Sequence, residues 1–526
     1  MLRVATRNRS EARERIEDGI RRARRVVARC AVAALAWLVV VVEARAQDEL
    51  SSRATPPPEA ARPVVPPRAP GPDYLRTALW ELSFLIGGTV WYWIDDRNIV
   101  DWDLDGWERR FDESSYRFDN NEFPINFVGH PLSGGAYYGL PRANRLPAWE
   151  SFLFGAATSF VWEFFLEFHE RFSINDIVAT PLGGVPIGET FVRLGRWLDS
   201  SQHPALAWTF GLPVAIHEAL DGREVGVRDG DASDEDPGWG AIDVDFGFAW
   251  VLPGQDRAGP GFDVSRIGAL ARFVALDGYL EDGQRIDGFF DAEVTRMRVE
   301  GLGSTEGAGF ELEADTILAG VHASALRASP LGGRMGTSVI VGTSVSHFFR
   351  FEHFARWHER LSYTGFPGFA VEAQSHLGPA VISFDGRAQG VFGASNASYE
   401  LSRWRAAHPL ATPKSVLTRH QYWFGWGYTL LGRVALHVAP VTLAAEGRYL
   451  VLDSEDRYDR NQDDVTEDAD GYGQLLETVI EARIDLGDAL MLRARWLRQR
   501  RYAALDDVAS RGRLDRFELA VGAAFR

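Results

Sequence analysis

The stretch FELAVGAAF, residues 517–525, decides the fold and is followed by Arg526. Side chains of an extended chain alternate between its two faces. One face of this stretch carries five apolar side chains: Phe517, Leu519, Val521, Ala523 and Phe525. The other face carries one carboxylate and small residues: Glu518, Ala520, Gly522 and Ala524. This alternation predicts a strand with one apolar face.

The same period of two recurs upstream, from about Trp239 onward. In 241–250, apolar side chains alternate with Asp243, Asp245, a glycine and an alanine. In 310–318 and 490–496 the alternating partners are mostly charged: Glu311, Glu313, Asp315, Arg493 and Arg495. A soluble β-sandwich also alternates, but its polar face points to water and its strands usually run about five or six residues. Long strands with charged faces favour a transmembrane antiparallel β-barrel with a charged interior.

The terminal strand resembles the C-terminal targeting strand of bacterial outer-membrane barrels, which ends in an aromatic residue such as Phe525. Arg526 departs from that pattern. The resemblance implies a mainly β protein in the cell outer membrane, with membrane lipid and the barrel-assembly machinery as partners. A soluble all-β domain is the alternative.

About twelve strands are predicted, near 239–252, 263–276, 287–299, 309–327, 335–351, 366–377, 380–392, 419–438, 441–452, 474–486, 489–500 and 514–525. Tight connections are expected at 378–379, 439–440 and 487–488, and long ones at 393–418 and 453–473. Short turns of such barrels face the periplasm, so both ends of the barrel are expected there. Because 277–286 is long for an inner turn, ten or fourteen strands are the alternatives.

The N-terminal residues predict export. A basic stretch at 21–29, RRARRVVAR, precedes an apolar run at 30–42 and then Ala44-Arg45-Ala46. This order is typical of a signal peptide, predicted here as residues 1–46. Residues 47–72 are rich in proline and are predicted to be a linker. A small helical domain is expected at 73–206 and the barrel at 207–526.

Charge and cysteine content exclude several classes of function. The chain has 73 acidic and 56 basic residues, a net charge of -17, which argues against nucleic acid as a partner. Its only cysteine, Cys30, excludes a disulfide framework and a Cys-ligated zinc site. Nucleophile-elbow, zincin, Walker and dinucleotide motifs are missing from the sequence, and no cofactor is predicted.

Two apolar helices with internal carboxylates are predicted in the helical domain. Residues 75–94 contain Glu81, and residues 151–168 contain Glu163 and Glu167. A carboxylate on so apolar a helix is costly unless it is hydrogen-bonded, paired or hydrated. We therefore expect these helices to turn a polar seam toward a partner helix or a water-filled lumen.

Two motifs flank the second helix: INFVGHP at 125–131 and SINDIVATPLGG at 173–184. Together they resemble a bacterial family of unknown function that pairs N-F-x-x-H-P with S-I-N-D-x-x-x-T-x-x-G-G. The resemblance spans about residues 116–200. It implies an envelope protein of Gram-negative bacteria and brings no known reaction.

His130, Glu163, Glu167 and Asp176 are predicted to converge as candidate catalytic residues. A histidine beside carboxylates can act as an acid–base pair or bind a divalent metal. The structural interpretation, which the sequence favours, makes Ser173 or Asp176 a helix N-cap and the glycines at 183 and 184 a helix contact. It places His130 and the glutamates in a buried hydrogen-bond network.

The acidic stretch 453–470 has the spacing that begins many calcium loops, with Asp459, Asn461 and Asp463 as candidate ligands. Asp464 stands where such loops need glycine and Asp470 where they need glutamate, which favours a solvated outer loop instead.

These patterns together predict a non-enzymatic outer-membrane barrel protein with a structural, plugged-channel or small-solute transport role. Its helical domain is expected on the periplasmic side or in the barrel lumen. Its apolar helices could plug the lumen, or lie against the inner leaflet with their aromatic faces in lipid. The alternative function is an envelope enzyme that acts on lipid or cell-wall material through the histidine and carboxylates.

Overall fold

The computed structural model describes residues 71–94, 111, 116–167, 171–201, 203–226, 238–255, 260–355, 357–455, 458–459, 461–487 and 489–525. The predicted signal peptide and nearly all of the predicted linker lie outside these residues. The α-helices are α1 (Tyr74–Ile94), α2 (His130–Ala143), α3 (Ala148–Val161), α4 (Ile174–Asp199), α5 (Pro204–Phe210), α6 (Leu212–Leu220), α7 (Ser398–Ala407) and α8 (Ser415–His420). Single π-helical turns lie at Ile125–Gly129 and Trp162–Leu166.

Two short strands, β1 (Tyr116–Arg117) and β2 (Phe172–Ser173), pair in parallel within the helical part of the chain. The large sheet contains β3 (Trp239–Gln255), β4 (Phe262–Val274), β5 (Gly283–Phe289), β6 (Val294–Ser304), β7 (Gly307–Ala328), β8 (Arg334–Phe354), β9 (Trp357–Gly378), β10 (Ala380–Asn396), β11 (Tyr422–Val438), β12 (Val441–Ser454), β13 (Gly471–Leu486), β14 (Leu490–Leu505) and β15 (Val508–Phe525).

Twelve antiparallel strands close the sheet into a barrel, which confirms the predicted fold and strand number. The last strand, β15, pairs with β3 from Phe525↔Ile242 to Gly512↔Gln255, so the ring has no free edge there. The short strand β5 continues the line of β6 along β7, with residues 290–293 between them. The single strand predicted at 287–299 is therefore two strands end to end.

The two faces of the wall differ in polarity as predicted: one face is apolar and the other is charged. Apolar side chains on one face of β3, β14 and β15, such as Phe248, Leu490 and Leu519, are 50 to 70% exposed. The alternating charged residues on the same strands are buried and pair with partners on distant strands. Arg350 on β8 lies 2.7 Å from Glu477 on β13, and Arg448 on β12 lies 2.6 Å from Glu313 on β7. Such contacts cross the lumen, so the charged face is the inner one.

Side chains close the lumen toward the end where the long connections lie. Helix α7 folds into this mouth, and its Trp404 is fully buried and donates a hydrogen bond to Asp506 at 2.5 Å. Buried apolar residues from α7 and the surrounding strands pack against it: Leu401, Trp423, Leu450, Leu452, Leu475 and Leu505. A charged cavity of about 470 Å³ occupies the opposite half of the lumen, where Asp243, Arg272 and Arg483 are among its lining residues.

The helices lie against the outside of the barrel wall. Ile187 of α4 packs on Met297, Leu312 and Ala314, which are on the outward face of β6 and β7. At the opposite end of α4, Leu198 packs near Phe525. The helices α2 to α6 thus pack on the outside of the wall and not in the lumen, because its apolar outer face, not its charged inner face, complements their apolar residues. Their position on the periplasmic side stays a prediction.

Helices continue beyond the predicted domain boundary at residue 206, which falls inside α5, and the first barrel strand begins at Trp239. Among the described residues, no helix has both the length and the hydropathy needed to cross a membrane.

Small residues let α2 and α4 approach closely. A Cβ added to Gly184 would lie 2.2 Å from the carbonyl carbon of Gly134, far inside van der Waals contact. Gly183 packs against Pro131 and against His347 on the barrel wall. A Cβ added to Gly183 would lie 3.1 Å from Pro131 Cβ and 3.1 Å from His347 Nδ1. Both glycines therefore have the packing role that the structural interpretation predicted.

We expect Gly184→Ala to separate α2 from α4, at a cost of about 1–3 kcal/mol typical of overpacking. Gly87→Ala is the matched control, since nothing lies within 4 Å of its added Cβ. Thermal melting in detergent, followed by far-UV circular dichroism at the helical signal, should show a lower midpoint for Gly184→Ala only. Equal midpoints for the two variants would contradict the close contact.

The closed lumen predicts that the protein in planar bilayers shows no stepwise channel current. Removing two guanidinium groups that cross the lumen and the buried indole of α7, in Arg350→Ala/Arg516→Ala/Trp404→Ala, should open a path and produce current steps. Arg500→Ala, at an exposed position, should behave as the unaltered protein. A gel shift between unboiled and boiled samples checks that each barrel is folded. Porin-like current from the unaltered protein would overturn the closure.

Candidate metal centre

A π-helical turn places His130 at the start of α2. The turn spans Ile125–Gly129 and is followed directly by α2, and such turns are frequent at functional sites. The wall holds the turn in place, because Nε2 of His347 lies 3.0 Å from the Phe127 carbonyl oxygen. Asn126 is fully buried and donates a hydrogen bond to the Tyr422 hydroxyl at 3.0 Å. His130 is thereby fixed relative to the barrel.

Asp176 lies in the first turn of α4. The Ser173 hydroxyl accepts a hydrogen bond from the Asp176 amide, so Ser173 is the N-cap, as the structural interpretation predicted. The side chain of Asn175 donates to Asp176 Oδ1 at 2.7 Å. This leaves Asp176 buried, with its carboxylate oriented by its neighbour.

Asp119 is the residue that sequence reasoning missed. It follows β1, whose pairing with β2 brings residues 116–119 beside the start of α4. The Asp119 amide donates to Asn175 Oδ1 at 2.7 Å, and the Phe118 amide donates to the Tyr458 carbonyl at 2.6 Å. No motif in the sequence marks Asp119, because only these contacts between distant segments bring it to His130 and Asp176.

Asp119, His130 and Asp176 can each offer one ligand atom, and these atoms all lie within 4.8 Å of one another. His130 Nε2 is 3.3 Å from Asp176 Oδ1. Asp119 and Asp176 are buried, whereas the His130 side chain is 21% exposed. One histidine and two carboxylates at such spacing match the donor set of a divalent metal site.

Glu163 stands beside this group in the second π-helical turn, Trp162–Leu166. It is only 2% exposed, and its Oε2 atom has no hydrogen-bond partner among the described residues. Burial, and the nearby charges of Glu167, Asp176 and Asp119, raise the pKa of Glu163 well above its ordinary value. A buried carboxyl of this kind can hold a proton or accept one from a bound water.

Glu167 is held apart from the metal-ligand group. Its Oε1 accepts a hydrogen bond from the Trp162 indole at 2.9 Å. Its charge still acts on Glu163, and it is not one of the three ligand positions. Of the four predicted residues, His130, Asp176 and Glu163 thus lie together and are joined by Asp119, and their catalytic role stays a prediction.

The calcium candidates have structural contacts instead. Asp459 is buried, and its Oδ2 accepts from both the amide and the hydroxyl of Ser415 at 2.9 Å, at the start of α8. Its Oδ1 accepts from the Asn461 amide at 2.9 Å, while Asp463 is exposed. Calcium binding by Asp459, Asn461 and Asp463 stays a prediction. The loop's visible role is to anchor the segment that carries Asp119.

A second buried network ties the helices to the wall. Glu189 accepts hydrogen bonds from Arg142 at 2.7 and 3.0 Å, from Arg193 at 2.8 Å and from Tyr138 at 2.7 Å. Arg142 also pairs with Asp291 at 3.0 Å, in the interruption between β5 and β6. Asp291 in turn accepts from the Ala148 amide at the start of α3. These charges satisfy one another and form a structural clamp.

The segment 115–211 matches the family model described as Domain of unknown function (DUF3943). This confirms the resemblance to a family of unknown function. No curated protein sequence matches the chain at a significant level.

Solved outer-membrane barrels are similar to part of the chain at the level of the fold. The translocator domain of the autotransporter NalP from Neisseria meningitidis is 14% identical, with 59% of this chain and 97% of that chain covered and a TM-score of 0.21. Omp33 of Acinetobacter baumannii is 8% identical, with 54% and 99% covered and a TM-score of 0.19. A loop-deletion variant of OmpT from Vibrio cholerae is 8% identical, with 54% and 99% covered and a TM-score of 0.18.

Proposed function

We propose that the protein is a sealed outer-membrane barrel that carries a divalent-metal centre on the outside of its wall, with hydrolysis as its chemistry. The observation that carries the proposal is the convergence of Asp119, His130 and Asp176 within 4.8 Å beside the unpartnered Oε2 of Glu163. The four side chains come from different segments of the chain, so their proximity is produced by the fold and not by closeness in sequence.

The charges of the centre support a cation. Asp119, Asp176 and Glu163 are all buried, and carboxylates gathered in a buried site repel one another. A divalent ion held by His130 and the two aspartates would offset this repulsion. When bound, such an ion supplies Lewis-acid activation of a water molecule. Glu163, buried beside the two aspartates, would be the group that holds or moves a proton at this centre.

The lumen supports a scaffold role for the barrel rather than a diffusion channel. Its ion pairs connect opposite walls, and helix α7 occupies the outer mouth. We infer that transport through the lumen is not its activity, and that the wall serves to hold the helical layer at the membrane.

We expect His130→Ala and Asp176→Asn each to weaken Zn²⁺ or Mn²⁺ binding by roughly 10-fold or more, because each variant removes a ligand or its charge. Titration calorimetry of the purified protein in detergent measures this. Asp463→Asn is the matched control, an exposed carboxylate in the acidic loop. Unchanged affinity in both site variants would remove the metal centre.

The buried Glu163 predicts a pH-dependent stability of the metal-free protein. Because its pKa is raised in the folded state, folding retains a proton that the unfolded chain releases at about pH 4.3. The helical layer should therefore lose stability as pH rises above that value, and Glu163→Gln should remove part of this loss. Melting midpoints between pH 5 and 8 test it, with the exposed Glu224→Gln as control. A slope identical in Glu163→Gln and the unaltered protein would contradict the assignment.

A further inference from the structure

The outer surface of the helical layer is apolar over two helices. The exposed residues of α1 include Leu75, Leu79, Ile86, Trp91 and Ile94, which are 55 to 77% exposed. On α3, Trp149 is 60% and Leu153 is 53% exposed. The exposed side chains described on α1 and α3 include none with a charge. A helix at a water-facing surface carries charged and polar residues on its outer side, so this surface is not built for water.

The helices cover a part of the wall that would otherwise face lipid. Leu312, Ala314 and Val345, on the outward face of β7 and β8, are at most 9% exposed under the helices. Outward residues on uncovered strands remain open, such as Ile480 at 51% and Leu519 at 70%. The helical layer therefore takes the place of lipid on one side of the barrel and presents its own apolar residues outward.

The layer also has the height of the wall. The start of α4 lies beside residues held by the outer loop at Tyr458, and its end packs near Phe525 at the opposite end of β15. The 26 residues of α4 correspond to about 39 Å. Helix α3 packs against α4, and α1 packs against α2 and α3, so the exposed apolar residues of α1 and α3 belong to the same layer as α4.

The metal centre lies at the edge of this apolar surface. Ile125, Leu132 and Phe165 are 47, 43 and 36% exposed and are close in the chain to Asn126, His130 and Glu163. His130 is the partly exposed member of the ligand group. Partly exposed apolar side chains thus neighbour the centre in the chain on the side where His130 is open.

We propose that the outward faces of α1 and α3 lie in membrane lipid, and that a membrane lipid with a hydrolysable ester or phosphoester is the substrate class of the metal centre. The substrate part rests on the proposed function. The oxygen of water bonds to the ester carbon or to phosphorus, and the bond from that atom to the alcohol oxygen breaks. Glu163 takes the proton from water and returns it to the alcohol oxygen. No oxidant or reductant is needed.

Single cysteines test the lipid contact. In a Cys30→Ser background, Leu153→Cys carries a fluorophore in vesicles of brominated phosphatidylcholine. Ile382→Cys on the outward face of β10 is the lipid-facing control, and Leu410→Cys in an outer loop, 94% exposed, is the water-facing control. We expect quenching at 153 to match that at 382. Quenching equal to that at 410 would overturn the lipid contact.

Lipid turnover tests the substrate class. The full chain is reconstituted with Zn²⁺ or Mn²⁺ in vesicles of phosphatidylethanolamine and lipopolysaccharide, and released fatty acid and phosphate are measured by mass spectrometry. We expect release that falls at least tenfold in Glu163→Gln and is kept in Leu410→Cys. Metal binding and quenching at 153 without any release would overturn the lipid substrate. Failure of metal binding alone would overturn the proposed function and leave the lipid contact supported by its own measurement.

Discussion

Charges inside the barrel must find partners across the lumen, and the rest of the structure depends on this constraint. A buried guanidinium without a carboxylate is strongly destabilising. Arg350 reaches both Glu311 and Glu477, and Arg448 reaches Glu313 from the far side of the ring. Strands with such faces are stable only when the ring closes and the opposite walls meet. The same ion pairs fill the lumen, so the outer face of the wall is the surface on which the helices can pack.

Specific polar contacts and close helix packing hold the helical layer on that outer surface. The interruption between β5 and β6 turns Asp291 toward the helices, where it pairs with Arg142 and caps α3. Thr190 on α4 lies 2.8 Å from Thr295 on the wall. Gly134 and Gly184 have no side chains, and a Cβ at either position would push α2 and α4 apart. Polar contacts within an apolar interface therefore join the helices to the wall. These polar contacts fix where each helix lies along the wall.

The candidate centre is a product of this assembly. His130 is set by a turn that the wall holds through His347, and Asp119 is set by a segment that the acidic loop 453–470 holds through Tyr458. Burial makes charged carboxylates costly, and Oε2 of Glu163 has no hydrogen-bond partner among the described residues. The cation that we propose would offset this cost and would give the helical layer a chemical role.

The sequence by itself determined the barrel, because a period of two along each strand already separates apolar from charged faces in residues such as Phe310 and Glu311. It also indicated His130, Glu163, Glu167 and Asp176, from two motifs and from carboxylates that are rare in so apolar a segment. It did not predict Asp119 or the anchoring role of Asp459, and it left the position of the helices open between the lumen, the periplasmic side and membrane lipid. Only the tertiary structure decided these, because they depend on contacts between segments tens to hundreds of residues apart, which no local pattern encodes.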